Sequence, residues 1–252
     1  MPVYIIGDIH GHLIKLIELL ISAKLIDDER RWIGGTSRLW FMGDFFDRGP
    51  HGIGVVDLVM RLQTQAADEG GAVRALLGNH EILFMAAQRF PRMRKFMLNW
   101  KRNGGQDADL SLVNARQLAW LRSLPALALV ENRLLMHADA MFYFAYGSSV
   151  AEINENFSAL LRDEETDEWE QLLDDFSERM AFSGSQVRGL ANAARYLDSF
   201  GGQQIIHGHT PIQYVADTII PIQPHIYANN LCINVDGGIY LGGTGFVYQL
   251  PE

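Results

Sequence analysis

A chain of 252 residues, 48% of them apolar, can bury one large α/β core or at most two small ones. It contains no run of 18 apolar residues, which excludes a transmembrane helix, and a net charge of −9 lacks the basic footprint of a non-specific nucleic-acid binder. Cys232 is the only cysteine, so no intrachain disulfide forms; a strand-like run already at Val3 leaves no room for a signal peptide, and the expected location is cytoplasmic.

Val3–Ile6 predicts a short buried strand, and Leu13, Leu16, Ile17 and Leu20 then recur at helical spacing. A second strand is expected at Leu39–Met42 with a helix over Ile53–Gln65, and a third at Ala72–Leu77 with a helix from about Glu81. That alternation predicts βαβ units and a largely parallel core sheet. Ala126–Val130 and Leu134–His137 flank Glu131-Asn132-Arg133 as a hairpin, and residues 149–181 form a helical pair inserted before the late strands. Val187–Phe200 is helical and stops at Gly201-Gly202. Gln204–Ile206, Leu231–Val235 and Phe246–Leu250 complete the strands, within one domain spanning 1–252.

Five polar clusters follow five of these apolar runs: Gly7-Asp8-Ile9-His10-Gly11, Gly43-Asp44-Phe45-Phe46-Asp47-Arg48-Gly49, Gly78-Asn79-His80-Glu81, His137-Ala138-Asp139 and His207-Gly208-His209-Thr210. In an extended segment Asp8 and His10 point the same way, so a carboxylate and an imidazole can share one ion. Asp44 is placed to bridge two cations, and Arg48 offers a planar fork of donors for phosphate oxygens. Asn79 supplies an amide oxygen suited to a hard or borderline cation, and His80 is a candidate general acid. A lone histidine ending a strand, as His137 does, is more often a core residue, and only one of His207 and His209 is needed as a ligand. Taken jointly, Asp8, His10, Asp44, Asn79, His137 and His209 make six mixed oxygen and nitrogen donors at strand ends. Two cations about 3.5–4 Å apart, with positions left open for water, would clamp an in-line displacement.

These residues resemble the phosphoprotein phosphatase family of metallophosphoesterases, whose pattern GDxHG, GDxxDRG, GNHE, HAG and GHT is matched from Gly7 to Thr210. Gly49-Pro50, Trp100 with Asn103-Gly104-Gly105, Thr210-Pro211 and Asn234-Val235-Asp236-Gly237-Gly238 are similar to small bacterial members, including the Shewanella-like type. The resemblance implies a calcineurin-like β-sandwich flanked by helices, with the acidic helical insertion added. It implies two divalent cations, Mn²⁺ first, with Fe or Zn as alternatives. Asp8, His10 and Asp44 would hold one, and Asp44, Asn79, His137 and His209 the other. His80, oriented by Asp47, would protonate the leaving oxygen; Arg48 and Asn79 would bind the phosphoryl group, with Arg188 as the family's second arginine although no aromatic residue precedes it. Asp139 stands where the family has glycine, and could either hydrogen-bond a ligand or face solvent. His207 is expected beside the ligands or in solvent, not among them.

The implied reaction is hydrolysis of phosphomonoesters, phosphoserine and phosphothreonine in proteins first, by direct attack of a two-metal-bound hydroxide. A nucleotide hydrolase of the symmetrical diadenosine tetraphosphatase type is the alternative, and a non-catalytic scaffold a further one. The partners expected are a phosphoprotein or small phosphomonoester, with neither nucleic acid nor membrane. Arg89, Arg92, Arg94, Lys95, Lys101 and Arg102 form a basic segment, and residues 151–180 carry eleven acids against two bases. Each is a candidate docking surface or simply a solvated face.

Overall fold

The computed structural model describes residues 1–183, 186–216 and 218–251. In chain order its elements are β1 (Val3–Ile6), α1 (Leu13–Ser22), β2 (Arg38–Phe41), α2 (Gly52–Asp68), β3 (Ala72–Ala75), α3 (Asn79–Arg89), α4 (Arg94–Arg102), α5 (Asp107–Leu112) and α6 (Ala115–Leu121). There follow β4 (Leu127–Val130), β5 (Arg133–Met136), α7 (Val150–Leu160), α8 (Thr166–Asp175), α9 (Gln186–Phe200), β6 (Gln204–His207), α10 (Ile212–Val215), β7 (His225–Tyr227), β8 (Cys232–Asn234) and β9 (Val247–Gln249).

The strands form two mixed sheets flanked by helices, as the resemblance implies. The first has the order β3-β2-β1-β9, parallel except for the β1–β9 pair, and the second β4-β5-β6-β8-β7, parallel only at β5–β6 and β6–β8. The parallel βαβ run expected over β1, β2 and β3 is present, and strands of three or four residues carry no record of the antiparallel neighbours that each sheet adds. β9 returns from the far end of the chain to pair with β1 (Ile5 opposite Tyr248). The β4–β5 hairpin closes through Glu131 and Asn132, both at positive φ (45° and 62°), as a two-residue turn of the primed type needs.

Alternation along each strand divides the apolar residues between two cores. Val3 and Ile5 join Leu135, Ile206 and Ile233 in a cluster between the sheets. Ile6, Leu134, Met136, Ile205 and Cys232 instead face the helices in the larger cluster. A strand with both faces buried shows no polar positions, which is why these runs are continuously apolar.

The acidic insertion is packed in. Ile153, Phe157 and Leu160 of α7 and Trp169, Leu172 and Leu173 of α8 are buried. Asn154 Oδ1 accepts from the backbone N–H of Ala126 (2.8 Å) and Leu127 (3.0 Å), and its Nδ2 donates to Leu127 O, so α7 caps the start of β4. The basic and acidic segments meet each other: Lys95 pairs with Glu170, and Arg89 pairs with Glu164 and donates to Arg162 O. No helix of the described residues is long and apolar enough to cross a membrane.

Candidate metal centre

The polar clusters sit where β1, β2, β3, β5 and β6 end, and the backbone turns sharply at each. His10, Asp44, Asp47, Arg48 and His209 all have φ between 48° and 69°, a left-handed conformation that non-glycine residues rarely hold. Five such residues in one place mark strain held by its surroundings. The holding bonds are visible. His10 N donates to Asp44 O (2.8 Å), Gly49 N to His10 O (2.9 Å), Gly208 N to His137 O (3.0 Å) and Arg48 N to Gly104 O (2.9 Å). Glycine is required at two of the crossings, since a Cβ on Gly208 would overlap Asp8 Oδ1 and one on Gly78 would overlap Asp44 Oδ1.

Two groups of buried donors result, His10–Asp44–His80 and Asp44–His137–His209, with the atoms of each group within 4.8 Å of one another. Asp44 belongs to both. Its Oδ2 lies 3.6 Å from His10 Nε2, and its Oδ1 lies 3.4 Å from His137 Nε2. The ring orientations are fixed from behind: His10 Nδ1 donates to Phe46 O (3.1 Å) and His137 Nδ1 to Met42 O (2.8 Å). Burial first, then neighbouring positive groups, lower the affinity of His10 and His209 for a proton well below the ordinary histidine range. Burial lowers His137 in the same way. In His10 and His137 the committed Nδ1–H leaves the Nε2 lone pair facing Asp44, the arrangement of metal-binding imidazoles.

Asn79 Oδ1 lies 3.0 Å from both His137 Nε2 and His209 Nδ1. Asp8 spans the same space: Oδ2 accepts from His209 N (3.0 Å), while Oδ1 is buried with no hydrogen-bond partner, as is His209 Nε2. Lone pairs that converge, and buried donor atoms without partners, are what a pair of cations would satisfy. The donor set, carboxylate, imidazole and one amide, suits Mn²⁺, Fe or Zn²⁺.

His80 is set apart by its partner. Its Nδ1 donates to Asp47 Oδ2 (2.6 Å), and Trp100 Nε1 donates to the other oxygen of the fully buried Asp47 (2.7 Å). Burial raises the Asp47 carboxyl, and these two bonds oppose that rise. Arg48 lies with its guanidinium 3.7 Å from the centre of the Tyr240 ring, its two terminal nitrogens 2.9 Å from His10 Nε2 and 3.2 Å from His80 Nε2.

Three positions left open by the sequence are resolved. Asp139 is buried, and both oxygens are committed, to Thr210 Oγ1 (2.6 Å) and to Met180 N (2.9 Å). It therefore fastens the His137 loop to the His209 loop and is not solvent-facing. His207 is also buried, with Nε2 at 2.7 Å from Tyr227 Oη, outside both donor groups. Arg188 lies exposed on α9, lining a surface cleft with Met141, Arg179, Met180 and Asn192. Arg179 is the cation whose charge reaches His209, and it precedes Met180, whose N–H holds Asp139. Sequence reasoning missed Arg179 by requiring a following glycine; the signal present was that it is one of only two bases, with Arg162, in the acidic segment 151–180.

Glu81 was also left without a role. Its carboxylate is buried and accepts from the backbone N–H of Asp44 (2.8 Å), Phe45 (2.7 Å) and Gly78 (2.9 Å), so it shapes the turn that presents Asp44. Burial and then the Asp44 charge push Glu81 up to about 8, against those three bonds.

Comparison with known proteins agrees with this geometry. Shewanella-like protein phosphatase 2 of Arabidopsis thaliana is 38% identical over 78 residues, 31% of this chain and 20% of that protein. The symmetrical bis(5'-nucleosyl)-tetraphosphatase of Salmonella paratyphi A is 32% identical over 144 residues, 56% of this chain and 43% of that protein. The chain thus spans less than half the length of these curated relatives. A cold-active protein tyrosine phosphatase of a psychrophilic Shewanella species shares the fold, with a TM-score of 0.74 at 23% identity over all of this chain and 75% of that one. Since residues 1–213 match the calcineurin-like phosphoesterase family, and its donor residues converge at the strand ends, the chain belongs to that family.

Proposed function

We propose that this chain is a two-metal phosphatase acting on phosphomonoesters, with phosphoserine and phosphothreonine in proteins as the leading substrates and phosphotyrosine also accepted. The observation that carries the reading is Asp44, whose two oxygens face two separate histidine groups, as a bridging carboxylate must. Asp8, His10 and Asp44 would hold one cation, and Asp44, Asn79, His137 and His209 the other, with Mn²⁺ the preferred ion. When bound, the cations would supply a hydroxide near neutral pH and neutralise charge on the phosphoryl oxygens.

The remaining steps belong to the protein's own side chains. Arg48 would turn its fork from the two histidine rings onto an incoming phosphoryl group, exchanging uncharged acceptors for anionic ones. Tyr240 supports the guanidinium from one face, which limits how far it can swing. Asp47 holds the His80 Nδ1 proton, so Nε2 points into the site as the atom that passes a proton to the leaving oxygen. Arg179, whose charge reaches His209, joins Arg188 as a candidate for the second phosphoryl-binding arginine, and the two line one cleft.

A nucleotide-hydrolase reading is kept because the tetraphosphatase relative aligns over 144 residues and the phosphatase relative over 78. The two are separated by assaying phosphopeptides beside diadenosine tetraphosphate with and without Mn²⁺, with Asp44→Asn as the inactive control. Phosphate release from phosphopeptides is expected to dominate. Preferential cleavage of the dinucleotide would replace the leading reading.

A further inference from the structure

One buried acid beside the metal centre has no part in the scheme above. Asp236 follows β8, where the chain lies against the end of β1: a Cβ on Gly7 would overlap Val235 O and reach the Asp236 Cα. Asp8 is the next residue on β1's side of that contact. The backbone of Asp236 is fixed, its N–H donating to Asn234 Oδ1 (2.8 Å) and its O accepting from Ile212 N (3.0 Å). Asp236 Oδ1 accepts from Gly238 N (2.9 Å), but Oδ2 is buried with no partner, just as Asp8 Oδ1 is. Asn234 Nδ2 in turn donates to Thr210 O (2.6 Å), so the same strand end is tied to the residue after His209.

Two carboxylate oxygens on touching chains, both shut off from water and unpaired, repel each other unless a positive group lies between them. The field of the Asp236 carboxylate is felt at Asp8, and the fields of Asp44 and Asp139 are felt at Asp236. Arg48 is the cation whose field reaches both, yet its fork is directed at His10 and His80.

We propose that Asp236 is a seventh side chain of the metal centre: its free Oδ2 faces the cation position formed by Asp8, His10 and Asp44, and its charge tightens the ion held there. This rests on the two-metal reading of the site. It also accounts for the pattern Asn234-Val235-Asp236-Gly237-Gly238. Asn234 sets the backbone N–H and Gly238 (φ 61°) supplies the N–H that fixes which carboxylate oxygen turns inward.

Asp236→Asn tests this with little change of shape, since the amide oxygen can still accept from Gly238 N. Mn²⁺ binding is measured by calorimetry on chelator-treated protein, in a His137→Ala background that leaves only the Asp8–His10–Asp44 position. Affinity is expected to fall about tenfold to a hundredfold, as for other residues that support metal ligands. In the otherwise unchanged chain, the metal-free Tm of Asp236→Asn is expected to equal or exceed that of the parent, because the carboxylate pair is relieved. A merely structural aspartate would instead lower Tm with and without Mn²⁺ and leave the affinity alone, and that result overturns the proposal. Unchanged affinity overturns it too. If the parent protein takes up no Mn²⁺, Fe or Zn²⁺, the two-metal reading itself fails and this proposal with it.

Discussion

His80 illustrates how one residue's role follows from what sits behind it. Four histidines surround Asp44, and three of them offer a lone pair; His80 alone has Nδ1 against a buried carboxylate, 2.6 Å from Asp47. That contact fixes the ring so that Nε2 points into the site, which suits the proposed proton-donating role. Trp100 then fixes Asp47 from the other side, which explains why a tryptophan and the Asn103-Gly104-Gly105 turn accompany the clusters. The expected consequence is specific to the leaving group. His80→Asn should lower kcat on an alkyl phosphate by about 10²–10⁴-fold, the usual range for a general acid. It should change p-nitrophenyl phosphate hydrolysis far less, because that phenoxide departs without a proton. Equal losses on both substrates would remove the general-acid role. The resemblance pairs His80 with Asp47, and the two side chains are in contact. Sequence alone could not assign Asp139, whose two hydrogen bonds come from Thr210 and Met180, partners 71 and 41 residues away.

At the scale of elements, β1, β2 and β3 were legible because each is an apolar run followed at once by a polar cluster, and a helix follows each. The acidic helices were legible as helices from the stripe Trp169, Leu172, Leu173 and Phe176. Their purpose was not, because it depends on a single contact across the fold. Asn154 satisfies two backbone N–H groups at the start of β4 and one carbonyl, which makes α7 part of the second sheet's edge. The charged faces are likewise explained by mutual contact, with Lys95 on Glu170 and Arg89 on Glu164. Such exposed pairs contribute little individually, so the buried contact governs stability. Asn154→Ala should destabilise by about 1–3 kcal/mol, the cost of leaving buried backbone groups unpaired. Lys95→Ala should change stability by less than about 1 kcal/mol. Urea unfolding of both variants checks the contrast: similar losses would mean that the insertion is held by its charges.

The whole molecule carries a stored conflict that cations would resolve. Asp8, Asp44, Glu81 and Asp236 lie buried around one space, each raised or opposed by burial, in a chain whose net charge is already −9. Three of them have folded affinities far above those of a free carboxyl: Asp8, Asp236 at about 7 and Glu81 at about 8. An acid raised on folding makes the folded state bind the proton more tightly than the unfolded chain does. Its effect is therefore absent below the ordinary carboxyl range near 4, and it destabilises increasingly as pH rises to 7–8. Each group contributes a slope of up to about 1.4 kcal/mol per pH unit in that window. Chelator-treated protein should accordingly lose Tm between pH 5 and pH 8, as measured by calorimetry at about constant ionic strength. On the proposed two-metal reading Mn²⁺ would replace those protons and reverse the trend, adding about 2.7 kcal/mol at a hundredfold excess over its dissociation constant. The gain should be larger at pH 8 than at pH 5, since protons compete with the ion at low pH. A Tm that ignores Mn²⁺ at both pH values would show that these carboxylates are not gathered for a cation, and would remove the physical basis of the metal centre.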